Sequence, residues 1–456
     1  MEYPKRVMLG RGLPHNGENM VGKILRKDFS RKTLITLVVF AFILLSALLV
    51  ASGSNLIMEL TSSLDALLET AEAPHFVQMH TGEIDQAEIE RWAAANSLVE
   101  AHQTVEMVTV DGSTLYLGDT DSAEENSVMD ISFVTQNRPF DFLLDLDKRV
   151  IELSPGEVGV PIYYMERDDL KLGDRVRISD GPFERTFTIA AFVRDAQMNP
   201  PIVHSKRFLV HGDDYGALRE HFAETEYLIE FLLTDAGQVD RFSQAYLSSG
   251  MPQKGPSVDR TMFKMLNGLS DGIVAGVVIV LSLLLMIIAI LCLRFTILAT
   301  IEEDTKEIGV MKAIGIGKGD IRRIYLAKYV VMGILASLAG YLASLALNPI
   351  LSANVMLTIG RAPKGPIEYA VPIAAAGSIS LMVFGSCALI LRRLNRISAV
   401  EALRSGTVGA SVKNLPVLNL KKSPLPNINV FLGFRDVVQR FKLFGLLCFV
   451  FFFSAF

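Results

Sequence analysis

The chain has 456 residues, half of them apolar, and a mean hydropathy of +0.36, a balance that speaks against an ordinary soluble protein. Its formal charge is only −5, but the acids are gathered, with 17 Lys and Arg against 37 Asp and Glu in residues 54–268, a local charge of −20. Such a surface argues against nucleic acid as a partner; the charge serves solubility first, with attraction of a cationic ligand as the sharper alternative. All three cysteines, Cys292, Cys387 and Cys448, fall in hydrophobic segments, so the acidic segment has no disulfide and must stand on its own core.

Hydropathy read along the chain gives four spans. A bilayer core about 30 Å thick needs ~20 apolar residues of helix, and residues 33–52, 273–293, 329–347 and 371–391 each meet that without a charged residue. Residues 1–32 and the length of the first span exceed the usual signal peptide, so 33–52 reads as an uncleaved anchor. Cytoplasmic flanks retain Lys and Arg. Residues 1–32 carry eight, 294–328 seven and 392–442 ten, against two, Arg361 and Lys364, in 348–370. The amino terminus is therefore expected inside and the acidic segment outside the cytoplasm. The expected fold is an α-helical polytopic membrane protein, four complete transmembrane helices plus the start of a fifth, with an inserted α+β extracytoplasmic domain at 53–268.

Within that domain, Ile89, Trp92, Ala93 and Asn96 recur at helical spacing and predict a helix over 85–96. Residues 107–110 and 113–117 are β-prone runs joined by Asp111-Gly112, which predicts a hairpin with a type I′ turn. A second hairpin is read from the alternating runs 170–179 and 186–193 around Asp180-Gly181-Pro182. A strand at 227–233 and a helix at 238–247 follow. Met262, Met265, Leu266 and Leu269 form an apolar stripe over 257–269 that runs into the second span and reads as a stalk helix. His75, His80 and His102 lie near acids, but their spacing fits no metal motif.

The four spans hold no ionisable group of the kind an ion-driven carrier needs. They hold small residues at close spacing, Gly272 with Gly276 and Gly333 with Ser337 and Gly340, read as helix-packing positions with dimerisation as the alternative. The chain has no Walker A loop: Gly315-Ile316-Gly317-Lys318-Gly319-Asp320 lacks the spacing and the Ser or Thr that would hold magnesium. No catalytic residue, bound metal or cofactor is expected. In the loop 294–328, residues 300–313 read as a charged helical extension with Glu302 and Lys306 four apart, and Asp320 starts a new helix. Between them lies an apolar, glycine-punctuated turn at 313–317 that reads as a docking knob.

At this loop Glu307-Ile308-Gly309-Val310-Met311-Lys312-Ala313-Ile314-Gly315, followed by Asp320-Ile321, resembles the coupling segment of the FtsX-like permease family of ABC transporters, which includes MacB-type exporters and lipoprotein-releasing permeases. Residues 396–406 resemble the family's closing motif, with Ala399 where proline is common. Leu170-Lys171-Leu172-Gly173-Asp174 and the run 187–193 are similar to the MacB-like periplasmic core pattern. The resemblance implies a permease subunit that docks a separate cytoplasmic ATPase, the user of ATP and Mg, through Glu307, Ile308, Met311, Lys312, Ala313, Ile314 and Gly315. It further implies a second permease copy or half, membrane lipids, and an extracytoplasmic protein or peptide as partners. The movement would export a substrate, or extract or release a lipid, lipoprotein, peptide or drug. The rival from another class is a non-transporting mechanotransmission or sensor protein that regulates a cell-wall hydrolase or signals peptide binding.

An internal echo adds to this. Arg26 and Arg31 before the first span match Arg435 and Arg440 before the apolar run 443–456, and each segment reads as an amphipathic elbow on the inner membrane face. Fourteen apolar residues reach only about 21 Å as helix, so the sequence is expected to be a truncated form of a longer permease with two four-span repeats.

Overall fold

The structure is a computed structural model that describes residues 33–118 and 122–392. The elbow segments with Arg26, Arg31, Arg435 and Arg440, the closing motif at 396–406, Cys448 and the apolar run 443–456 lie outside the described residues. In chain order a long helix α1 (Thr33–Thr70) leads to β1 (Phe76–Thr81), α2 (Gln86–Ala95), β2 (Val99–Val110), β3 (Leu115–Leu117), β4 (Asp130–Val134) and β5 (Glu157–Pro161). Next come α3 (Ile162–Asp168), β6 (Arg175–Asp180), β7 (Phe183–Val193), β8 (Ser205–Val210), α4 (Gly212–His221), β9 (Thr225–Leu233) and α5 (Val239–Ser248). The chain continues through β10 (Ser257–Asp259), α6 (Arg260–Glu303), α7 (Thr305–Ala313), α8 (Lys318–Leu351), α9 (Ala353–Thr358) and α10 (Pro366–Ile390).

The described residues fall into two compact units. One holds Gly53–Val277 and Leu347–Tyr369; the other holds the remainder. The second unit is a helical bundle in which Val39, Ile43, Ala47, Leu293, Tyr329, Ala336, Val383 and Cys387 share one buried cluster. Four helices, α1, α6, α8 and α10, are long and apolar enough to cross a membrane. Three of them extend well past the spans read from hydropathy, because α1, α6 and α8 continue as helix into polar sequence.

The first unit is built on one ten-stranded mixed sheet, in the order β10-β1-β9-β2-β4-β8-β5-β7-β6-β3. Alternation assigns its two faces. Ile229, Phe231 and Leu233 of β9 join a cluster with Ile89, Ala93, Phe242 and Tyr246 of α2 and α5. Trp92 meets Tyr246 edge to face at 5.3 Å, a geometry worth about 0.5–1.5 kcal/mol beyond burial. Further along the same face, Val108, Val110, Phe208 and Val210 pack with Ile162, Tyr164 and Leu218 of α3 and α4. The opposite face presents Val77, Val105, Met107, Leu209 and Leu228 to Leu56–Ala73 residues of α1, to Phe263, and to Val355 and Ile359. This second face carries the site described below.

Asp85 caps α2 by accepting from the Glu88 amide, and the hairpin at Asp180-Gly181-Pro182 forms as expected, with Gly181 at φ +58°. The hairpin expected at Asp111-Gly112 does not form. Asp111 accepts from the Ser113 amide at 2.8 Å and starts a short 3-10 turn, and β3 pairs with β6 instead of β2. Gly112 is needed there for room, since a Cβ would press on the Glu124 carbonyl. The stalk also differs in detail. Helix runs unbroken through Gly272 in α6, but Met262, Met265 and Leu269 of the expected stripe are exposed, and Phe263, Asn267 and Asp271 are the buried side.

Candidate functional site

Helix α8 has a contrasting junction at each end. At its start, α6 stops at Glu303, and the Asp304 carboxylate accepts from the Tyr325 hydroxyl of α8 at 2.9 Å. The chain then forms the short α7, whose C-terminus is closed by backbone alone. The Ile316 amide donates to the Met311 carbonyl at 3.0 Å and the Gly315 amide to Lys312 at 3.2 Å, the paired bonds of a Schellman cap. Gly315 sits at φ +90°, a left-handed conformation that glycine adopts without steric cost.

This cap turns apolar side chains outward. Ile314 is 72% exposed, Val310 50% and Ile316 37%, and Glu307, Ala313 and Gly315 are also exposed. Met311 and Lys312 are half-buried. Ile308 corrects the sequence reading: it is fully buried, in the same cluster as Leu293, Ile301 and Tyr329. It anchors α7 and contributes nothing to the outer surface. Ile316 belongs to the turn 313–317 expected as the knob, and Val310, outside the docking residues expected from sequence, shares a helical face with Ile314, four residues on.

The small residues divide likewise. At Gly340 a Cβ would lie 2.5 Å from the Leu44 carbonyl oxygen and 2.9 Å from the Ala47 Cβ, so α8 approaches the α1 backbone there as only glycine allows. At Gly333 a Cβ would meet Val383 of α10 at 3.1 Å, and Ser337 is buried between them in sequence. Gly272 and Gly276 have nothing within 4 Å of an added Cβ, so neither serves helix packing within this chain.

At its other end α8 gives way to α9. The last carbonyls of a helix have no partner within it, and here side chains of the sheet domain supply them. Arg194 Nη2 donates to the Leu357 carbonyl at 2.7 Å, and Asn199 Nδ2 donates to Thr358 at 2.7 Å. The same guanidinium holds the Leu146 carbonyl at 2.9 Å, and Lys148 Nζ donates to the Arg361 carbonyl at 2.6 Å. Gly360, at φ +88°, lets the chain turn past these cations: a Cβ would lie 2.7 Å from Lys148 and 2.9 Å from Arg194. Burial lowers the Arg194 pKa, opposed by Asp145 and Asp147. Asn267 of α6 holds the Ala196 carbonyl at 3.0 Å, and Asn354 of α9 donates to Asp271 at 3.2 Å.

The loop 194–203 is itself fixed by a buried charge cluster. Arg207 of β8, wholly buried, is bound by both Asp195 oxygens at 2.6 and 2.7 Å and by Asp141 at 2.7 Å. Its own burial works against the charge, but the two carboxylates raise its pKa well above normal. Lys206 places its three ammonium protons on the carbonyls of Met198, Pro200 and Val203 at 2.7, 2.8 and 2.6 Å. Burial pulls its pKa down to about 8, with Asp195 opposing. Glu230 of β9 accepts from Gln197 at 2.6 Å and Gln103 at 2.7 Å; burial and the neighbouring Asp141 push its pKa well up. Sequence reading missed the whole cluster. Its one legible signal was charge inside apolar strands, Lys206-Arg207 before Phe208-Leu209-Val210 and Glu230 within a run of Leu, Ile and Phe.

The histidines act as polar core residues: His75 Nδ1 accepts from the Leu233 amide at 2.9 Å and His80 Nδ1 from Lys254 at 3.1 Å, while His102 stacks on Phe231. Among the described residues no group of three or more His, Cys, Asp or Glu could hold a metal ion.

No curated protein matches the chain. Among solved structures, the periplasmic region of MacB from Actinobacillus actinomycetemcomitans is similar at 10% identity over 43% of this chain and 94% of that one, with a TM-score of 0.26, too low to bear on fold or function. The family model described as FtsX-like permease C-terminal matches residues 279–399, the stretch that contains α7, the Schellman turn, both ends of α8 and all of α10. Residues 279–399 are thus similar to the C-terminal domain of FtsX-like permeases, a likeness that covers about a quarter of the chain.

Proposed function

We propose that the chain is a membrane-inserted ABC transporter permease subunit whose turn at residues 310–316 docks a separate cytoplasmic ATPase, and whose Arg194 joint passes the resulting movement to the sheet domain. The observation that carries this reading is the exposed trio Val310, Ile314 and Ile316 inside the matched family segment. An apolar knob on a rigid glycine cap suits a preformed socket, since little conformational freedom is lost on binding. The Lys and Arg distribution supports a cytoplasmic side for that turn and an outer side for the acidic sheet domain.

Movement of α8 would draw on α9, and the carbonyls of α9 are held by Arg194 and Asn199. The loop that carries those two side chains is fixed to β8 and β9 through Asp195, Lys206 and Gln197. A lever of this kind needs no passage of substrate between the helices. Its cargo is a lipid, lipoprotein, peptide or drug handled outside the cytoplasm.

The test is co-purification of the full chain with its nucleotide-binding subunit. Ile314→Asp puts an unpaired charge where an apolar socket is expected, at a cost of several kcal/mol, and the ATPase should be lost. Retention of the ATPase by a correctly folded Ile314→Asp protein overturns the docking assignment.

A further inference from the structure

Below the sheet domain's second face, α1 carries a polar stripe that the lever does not use. Asn55, Glu59, Ser62 and Ser63 lie at helical spacing on one side of α1 and line a cavity closed by residues 362–368. The cavity offers about 10 Å³, room for a single water-sized particle. Glu59 is 6% exposed. Its Oε2 has Asn55 Nδ2 at 3.3 Å and the Lys364 ammonium at 3.8 Å, whereas its Oε1 is buried without a hydrogen-bond donor. A bare carboxylate oxygen in that position is costly, because the desolvation of an acceptor is not returned by any partner.

The surrounding donors are oxygens. The single Ser62 hydroxyl proton lies within reach of the Met58 carbonyl at 2.8 Å and Glu368 Oε1 at 3.0 Å, and either choice leaves a lone pair of its oxygen available to a cation; Ser63 Oγ receives the Ala362 amide at 3.3 Å. Two carboxylates and one ammonium line the cavity, a formal charge of −1. Hard oxygen donors of this kind suit alkali and alkaline-earth cations. The net charge of the lining matches a monovalent ion.

We propose that this cavity is a binding site for one monovalent cation of sodium size, held by Glu59 Oε1 with serine and Glu368 oxygens, which ties α1 to the segment 362–368. The occupant would stabilise the folded protein in proportion to its occupancy. It acts apart from ATPase docking, so its success or failure is independent of the lever.

The full chain in detergent is melted in sodium chloride and in choline chloride at equal ionic strength, followed by the fluorescence of its single tryptophan, Trp92. Sodium should raise the midpoint saturably by about 2–4 °C, and Glu59→Gln should abolish the difference. Sodium-23 line broadening of the wild-type protein, displaced by lithium, provides a readout that does not depend on how the variant folds. Equal midpoints in the two salts, or a sodium effect that survives in Glu59→Gln, overturn the site, as does the absence of broadening; a water alone in the cavity would give these null results.

Discussion

The two ends of helix α8 solve the same problem, how to stop a helix and turn the chain, in opposite ways. Before α8, the turn after α7 satisfies its carbonyls with its own backbone and leaves Val310, Ile314 and Ile316 in solvent. After α8, the carbonyls at the end of α9 are taken by Arg194 and Asn199, both buried and both on a loop of the sheet domain. A self-contained turn keeps its surface free for a partner. A turn capped from outside cannot move without its caps. The proposed docking role fits the first, and the proposed transmission role fits the second.

That contrast predicts a graded set of outcomes. The largest effect should come from the cluster behind the joint. Arg207→Met leaves Asp141 and Asp195 buried without their cation and should cost about 3–5 kcal/mol, measured as denaturant unfolding through Trp92. A loss below about 1 kcal/mol would mean that the cluster is not what fixes the loop 194–203. At the joint itself, Gly360→Ala must adopt φ +88° and crowd Arg194, at about 1–3 kcal/mol. Arg194→Ala strips the α9 carbonyls at a similar cost. Both variants should keep the ATPase bound in co-purification; loss of binding would erase the distinction between the two ends of α8.

A smaller effect concerns pH. Glu230 has a raised folded pKa, so it contributes stability that is present below its unfolded value near 4.5 and lost as pH rises through the folded value. Asp195, with a lowered folded pKa, acts in the opposite sense and only below about 4. From pH 5 up to its folded value, Glu230 should therefore withdraw stability by at most about 1.4 kcal/mol per pH unit, and Glu230→Gln should remove that slope; from about pH 8 the lowered Lys206 acts in the opposite sense. An unchanged slope would assign it to another group. The smallest stability effect is expected at the contact: Ile314→Asp should leave unfolding within about 0.5 kcal/mol while abolishing co-purification.

The same contrast explains what could be read from sequence. The turn was legible because it is local: Gly315 and the residues before it carry their own geometry within a few positions. The hairpin 175–193 was legible for the same reason, through alternation and Asp180-Gly181. The joint was not, since Arg194 and Leu357 are 163 residues apart and no local period relates them. The mispaired β3 has a similar origin: three residues at a sheet edge are placed by β6, and the Asp111-Gly112 signal beside them was satisfied by a 3-10 turn. Ile308 shows the limit within the turn itself, where motif membership did not distinguish the buried side of α7 from the exposed one.

Hydrogen exchange on the full chain with its ATPase in lipid nanodiscs, compared between nucleotide-free and vanadate-trapped states, tests the account most directly. Protection is expected at residues 310–316 on docking, with a coupled change at 194–199 and 353–361 on trapping that is lost in Arg194→Ala. Trapping that leaves those two segments unchanged in the wild-type protein, with the ATPase bound, would contradict it.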